Sequence, residues 1–160
     1  MLVTFSQMPN DARVWIYQSD KPLDATQINY MNEQAAAFCD NWAAHNTPLK
    51  SAYKLLHDKF FVIAVDEGYN NASGCSIDSS VHFVKAMEQQ LGVNFFDRSQ
   101  VAFLINDNVY TTTLQSIKED ISGGKIAPGT LTFNTQVQNV AEFQHKWLVP
   151  AEDSWLKRYF

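Results

Sequence analysis

Apolar and polar positions repeat every two residues in some stretches and every three to four in others, and the changes of period mark out the elements. Arg13-Val14-Trp15-Ile16-Tyr17-Gln18 alternates two sets of side chains and stops at Ser19-Asp20-Lys21-Pro22, which predicts a first strand with Trp15 and Tyr17 on one face. Asp24 with Gln27 three residues on reads as a capping box. Ile28, Met31, Ala35, Phe38 and Trp42 then form one helical stripe, giving a helix over Ala25–Ala44 that Asn46 and Pro48 end. Lys50–His57 reads as a second strand, turned at Asp58-Lys59 into Phe60–Asp66. Phe60-Phe61-Val62-Ile63-Ala64-Val65 is too continuously apolar to have a solvated face, so it should be central in its sheet. The loop-forming residues Asp66–Gly74 lead to Cys75. Ser76 is read as the N-cap of a helix whose core stripe is Ile77, Val81, Val84, Met87 and Leu91, with Asp78 in its first turn and Gly92 as its stop. Glu88 lies beside that stripe and fits it badly.

After Phe95-Phe96-Asp97-Arg98, Val101–Ile105 reads as a fourth strand, expected in one mainly antiparallel sheet with the first three. Strand, helix, strand, strand, helix, strand is the split βαβ order of ferredoxin-like folds, so an α+β protein of that kind is expected, under both helices and with a C-terminal α/β extension. That extension holds a turn at Asn106-Asp107-Asn108, a strand at Val109–Thr112, a short helix marked by Leu114, Ile117 and Ile121 and closed by Gly123-Gly124, and a strand at Thr130–Asn134. Beyond Asn134 the period is lost. The tail still carries Phe143, Trp147, Trp155, Leu156, Tyr159 and Phe160, broken by Pro150 and with Ser154 as a cap, which is more apolar surface than water tolerates. It should dock on the domain and share part of its patch in a homodimer. No repeat or composition shift divides residues 1–160, so one domain is expected.

Composition narrows the partners. The 160 residues suffice for a core without staples, and two cysteines, Cys39 and Cys75, fit a reducing compartment better than a secreted scaffold. No charged-then-apolar leader opens at Met1 and no apolar run approaches membrane length, so a cytoplasmic protein without a membrane partner is expected. A net charge of −5 with only 12 Lys and Arg argues against duplex nucleic acid.

Most candidate chemistries lack their spacing. His45, His57, His82 and His145 fall on separate elements and there is no C-x-x-C, so no metal or other cofactor is expected. Asp66 and Glu67 point to opposite faces and make a poor carboxylate pair. Trp15, Tyr17, Phe60 and Phe61 read as core before they read as a stacking platform. What remains is the turn Ser73-Gly74-Cys75-Ser76. Free N–H groups at a helix start would hold a small anion such as phosphate or carboxylate and would favour the Cys75 thiolate; nucleophilic catalysis also needs a base, for which His57 is the candidate.

Arg13–Gln18, Ala72–Asp78, Phe96-Asp97-Arg98, and Trp147–Pro150 with Ser154-Trp155-Leu156 together resemble a family of short bacterial proteins of unassigned activity, often labelled ABC transporter ATPase. The label fails on the residues. A Walker A loop needs G-x-x-x-x-G-K-[ST], and around Gly123-Gly124-Lys125 the first glycine is Glu119 and the hydroxyl residue is Ile126. Two readings of function follow: a module that binds a small anion at Ser73–Ser76 or binds another protein, and, as the alternative, a thiol enzyme with Cys75 as nucleophile.

Overall fold

The computed structural model describes all residues from Met1 to Phe160. Strand β1 (Arg13–Gln18) is followed by helix α1 (Ala25–Asn41), the two-residue strands β2 (Ala43–Ala44) and β3 (Thr47–Pro48), and the hairpin β4 (Ser51–Leu56) and β5 (Phe60–Val65). Helix α2 (Gly74–Leu91), the hairpin β6 (Gln100–Ile105) and β7 (Asn108–Thr113), helix α3 (Ile117–Ser122), β8 (Leu131–Phe133), α4 (Val140–Lys146) and β9 (Leu148–Pro150) complete the order, with 3₁₀ turns at both ends of the chain. The class is α+β with antiparallel sheets. No helix is long and apolar enough to cross a membrane.

The first sheet has the order β1-β5-β4, antiparallel throughout, and every residue of β5 is buried. Phe61, Ile63 and Val65 face α1 and α2. Val62 and Ala64 face Met8, Ala12, Val140 and Phe143 on the other side. Both predicted helices therefore cover one face of this sheet, and α4 covers the other. The expected four-stranded ferredoxin-like sheet does not form, because β6 belongs to a second sheet with the order β7-β6-β8-β9. In ferredoxin-like order the strand after the second helix lies beside the first strand. Here β7 pairs with β6 along its whole length and β8 takes part of its other edge, so the place beside β1 is left open.

Local chemistry explains the boundaries. Asp24 and Gln27 form the capping box, both bonds 2.8 Å, and Gln27 Nε2 donates to the Leu91 carbonyl, tying the start of α1 to the end of α2. α1 stops at Asn41, three residues short of the predicted end. Ala43–Pro48 instead makes a small hairpin whose His45 and Asn46 have φ of 51° and 63°. The other two hairpins turn in the same left-handed conformation, at His57-Asp58 and Asn106-Asp107. α2 begins at Gly74 with Ser73 as N-cap, ahead of the predicted Ser76. Its inner face is consequently Ser76, Ser80, Val84, Met87 and Leu91, with the two serines where the wheel anticipated Ile77 and Val81. Small side chains bring the first turns close to the sheet, and Trp42 Nε1 donates to the Ser76 carbonyl at 2.8 Å. Glu88 also finds its reason: Oε2 accepts the Phe95 N–H at 2.6 Å and fixes the chain leaving Gly92.

The tail docks. β9 pairs with β8, Ser154 caps the turn Trp155–Tyr159 through the Leu156 N–H, and Leu156 is fully buried against Val101, Phe103 and Ile117. Leu156→Ala should therefore lower stability by about 2–5 kcal/mol, whereas Trp155→Ala, which removes a side chain 47% exposed, should change it by less than about 1 kcal/mol. Chemical denaturation of both variants checks this, and equal effects would place Leu156 outside the core.

Candidate functional site

The turn Ser73–Ser76 is a helix cap before it is anything else. Ser73 Oγ accepts the Ser76 N–H at 3.2 Å, Ser76 Oγ returns a bond to the Ser73 carbonyl at 2.8 Å, and the Ile77 N–H also goes to Ser73. Ser76 is buried, and only Gly74 and Cys75 are exposed. Cys75 gains no base. His57 sits in the β4–β5 turn, its ring 5.1 Å from Phe133 and 6.3 Å from Phe60. Cys75 follows the opposite end of β5, so the length of that strand, about 17 Å, lies between them. Asp66 is spent in structure: it accepts the Gly68 N–H and pairs with Lys50 at 3.4 Å, while Glu67 pairs with Arg13. No three His, Cys, Asp or Glu side chains cluster as a metal site requires. Phe60 and Phe61 are fully buried on opposite faces of β5, so the four aromatics weighed as a stacking platform do not make one.

The larger concavity is elsewhere. A cleft of about 840 Å³ runs along β1, lined by every residue from Arg13 to Gln18, by Phe95–Arg98, by Gln100–Ala102 and by Thr135–Asn139, with Trp155 at its rim. Consecutive residues of a strand point to opposite faces, so a cavity touching all of them lies along the edge and not on a face. It is the open place beside β1. The wall opposite is the start of β6, from which the segment after β8 departs to reach β1: the Val14 N–H donates to the Gln138 carbonyl at 3.0 Å.

Two residues that line this cleft each carry a buried side-chain atom without a hydrogen-bond partner, Gln18 Nε2 and Gln100 Oε1. One is a donor and the other an acceptor. Leaving either unpaired costs about 1–3 kcal/mol, a cost removed once the amide rotates toward a polar occupant. The rim is aromatic, with Tyr17 packed edge-on against Phe96 at 5.5 Å and Arg13 over the Trp15 ring at 4.9 Å. Burial raises the Tyr17 hydroxyl's pKa above its ordinary value, opposed in part by the nearby Ser80 side chain. Sequence periodicity could not find this site, because an edge is vacant only in relation to strands that went elsewhere. The one signal was the pair of polar glutamines, Gln18 and Gln100, at the end and the start of apolar strands.

No family model matches the chain, and neither a curated protein nor a solved structure matches it.

The second cysteine makes a pH test of packing. Cys39 is buried on the inner face of α1, and desolvation pushes its thiol from 9.0 to about 11, against a lowering contribution from the Ser51 hydroxyl. A folded pKa above the unfolded one means stability is complete below pH 9.0 and is lost as pH climbs through about 11. The loss from this group is about 3 kcal/mol. Urea midpoints between pH 8 and 11 should thus fall less steeply for Cys39→Ala than for the unaltered chain; parallel slopes would remove Cys39 from the account.

Proposed function

We propose that the protein is a binding module whose ligand occupies the cleft along β1. The observation that carries this reading is the unpaired donor and acceptor, Gln18 Nε2 and Gln100 Oε1, buried in one concavity. A cleft of several hundred Å³ with aromatic walls and a few convergent polar groups is the ordinary form of a ligand site. The thiol enzyme is the weaker reading, since Cys75 has no base and His57 lies at the far end of β5. Kinship with the short bacterial family enters the proposal as kinship alone, because it brings no assigned chemistry.

A second reading keeps the turn at Ser73–Ser76 as an anion site, supported by the Gly74 and Cys75 N–H groups that the cap leaves unused. One experiment separates the two. In amide-resolved NMR of the labelled chain, a mixture of small polar aromatic fragments should shift the side-chain amides of Gln18 and Gln100 and the indole N–H of Trp15 and Trp155, and inorganic phosphate should leave them in place. Phosphate shifts confined to Gly74 and Cys75 would favour the turn. Fragments that move nothing in the cleft would end the first reading.

For the tail, we propose a homodimer through its aromatic end, seated on Phe160, 41% exposed. Light scattering should give twice the chain mass, reverting to a single chain in the Phe160→Ser variant; a monomeric mass for the unaltered chain would exclude the dimer.

A further inference from the structure

We infer that the occupant of the cleft is a short extended peptide segment of a partner protein, which adds a strand to the open middle of β1; this rests on the cleft reading above and names its ligand. The main-chain directions along β1 carry the inference. In an antiparallel strand, alternate residues turn both N–H and C=O to the same side. The Ala12 carbonyl receives the Val140 N–H, the Val14 N–H goes to Gln138, and the Asp20 N–H goes to Asn94, so even-numbered residues face away from β5. Ser19, an odd one, bonds inward to Lys59. Ile16 and Gln18 therefore turn their main-chain groups into the cleft, where no strand of the chain pairs with them. The chain's own segments close both ends of this edge and leave the middle unpaired.

The vacancy matches an extended backbone better than it matches a compact small molecule. From Val14 to Asp20 the open stretch spans about 20 Å, enough for about four residues of an added strand before it turns out over the rim. Main-chain donors and acceptors recur there every second residue, the repeat that another strand presents. An inserted strand bonds Ile16 and Gln18 with one edge and turns its other edge toward the β6 wall; rotation of the two glutamine amides toward it gives Gln100 Oε1 a donor and Gln18 Nε2 a carbonyl, the partners they lack.

The test uses a phage-displayed library of random twelve-residue peptides panned against the intact chain, and the selected peptide made synthetically. Ile16→Pro removes an edge N–H that faces away from the β5 ladder, a position where a strand tolerates proline. It should weaken binding at least tenfold, Gln18→Ala with Gln100→Ala should weaken it several-fold, and Lys118→Ala, exposed on α3 away from the cleft, should leave it unchanged. An N-methyl scan of the peptide should abolish binding at every second residue and spare the residues between. That scan uses the unaltered chain, so it decides the matter even if Ile16→Pro does not fold. Undiminished binding by the folded Ile16→Pro variant, a scan without alternation, or a library that yields no binder would each overturn the inference. Fragment shifts in the cleft combined with no peptide binder would leave the cleft reading standing and remove this one.

Discussion

The burial of Phe60 holds the two sheets together. It opens the central strand of the first sheet, is fully buried, and meets Phe133 at 4.7 Å and Trp147 at 4.9 Å from the second sheet and its neighbouring turn. Ala102 of β6 packs in the same cluster. Aromatic contact continues through Phe143 to Phe5 near the start of the chain, at 5.4 and 5.6 Å. Each such ring contributes about 1.5–3 kcal/mol by leaving water. Apart from Ile16, whose side chain borders this cluster, β1 and β6 are held at their spacing by what packs beneath them.

That arrangement explains why a cleft survives in a well-packed protein. β6 has one edge committed to β7 and part of the other committed to β8, so its hydrogen bonding is largely spent before it could turn to β1. Thr132 reinforces this by donating to the Ala102 carbonyl at 2.9 Å. At the other end of β1, Asp20 and Asn94 exchange two bonds of 2.9 and 2.7 Å, which fixes the loop after α2 against the strand and not over its middle. The gap is bounded by satisfied contacts at both ends, so closing it would break bonds already made.

Much of the fold was legible wherever one period ran long enough. The Asp24–Gln27 cap, the unbroken run Phe60–Val65 and the Gly92 stop each act through local chemistry, and each reads the same in sequence and structure. Two errors in α2 and α1 came from neighbours. Ser73 and Ser76 are equally good caps in isolation, and burial against Trp42 decides for Ser73; Trp42 itself continues the helical stripe in sequence but closes the helix as its C-cap. β9 is three residues long and exists because β8 offers it an edge, a relation no window of sequence contains. The fourth strand was found correctly and placed wrongly for the same reason: pairing partners are chosen by competition among edges. The candidate site followed suit, with Cys75 and His57 each read correctly as lying next to a turn but on turns at opposite ends of one strand.

The recess of β1 also governs what can reach it. A flat, exposed strand edge is a template on which whole sheets stack and aggregate, and natural proteins blunt such edges with charge, bulges or cover. Here the cover is a pair of walls, the Phe95–Arg98 turn on one side and Thr135–Asn139 on the other. A folded sheet brings its side chains and neighbouring strands with it, whereas a single extended chain needs the width of one strand. For the proposed occupant the recess thus works as a filter on folding state: it turns away strands already in sheets and favours polypeptide that has no sheet of its own.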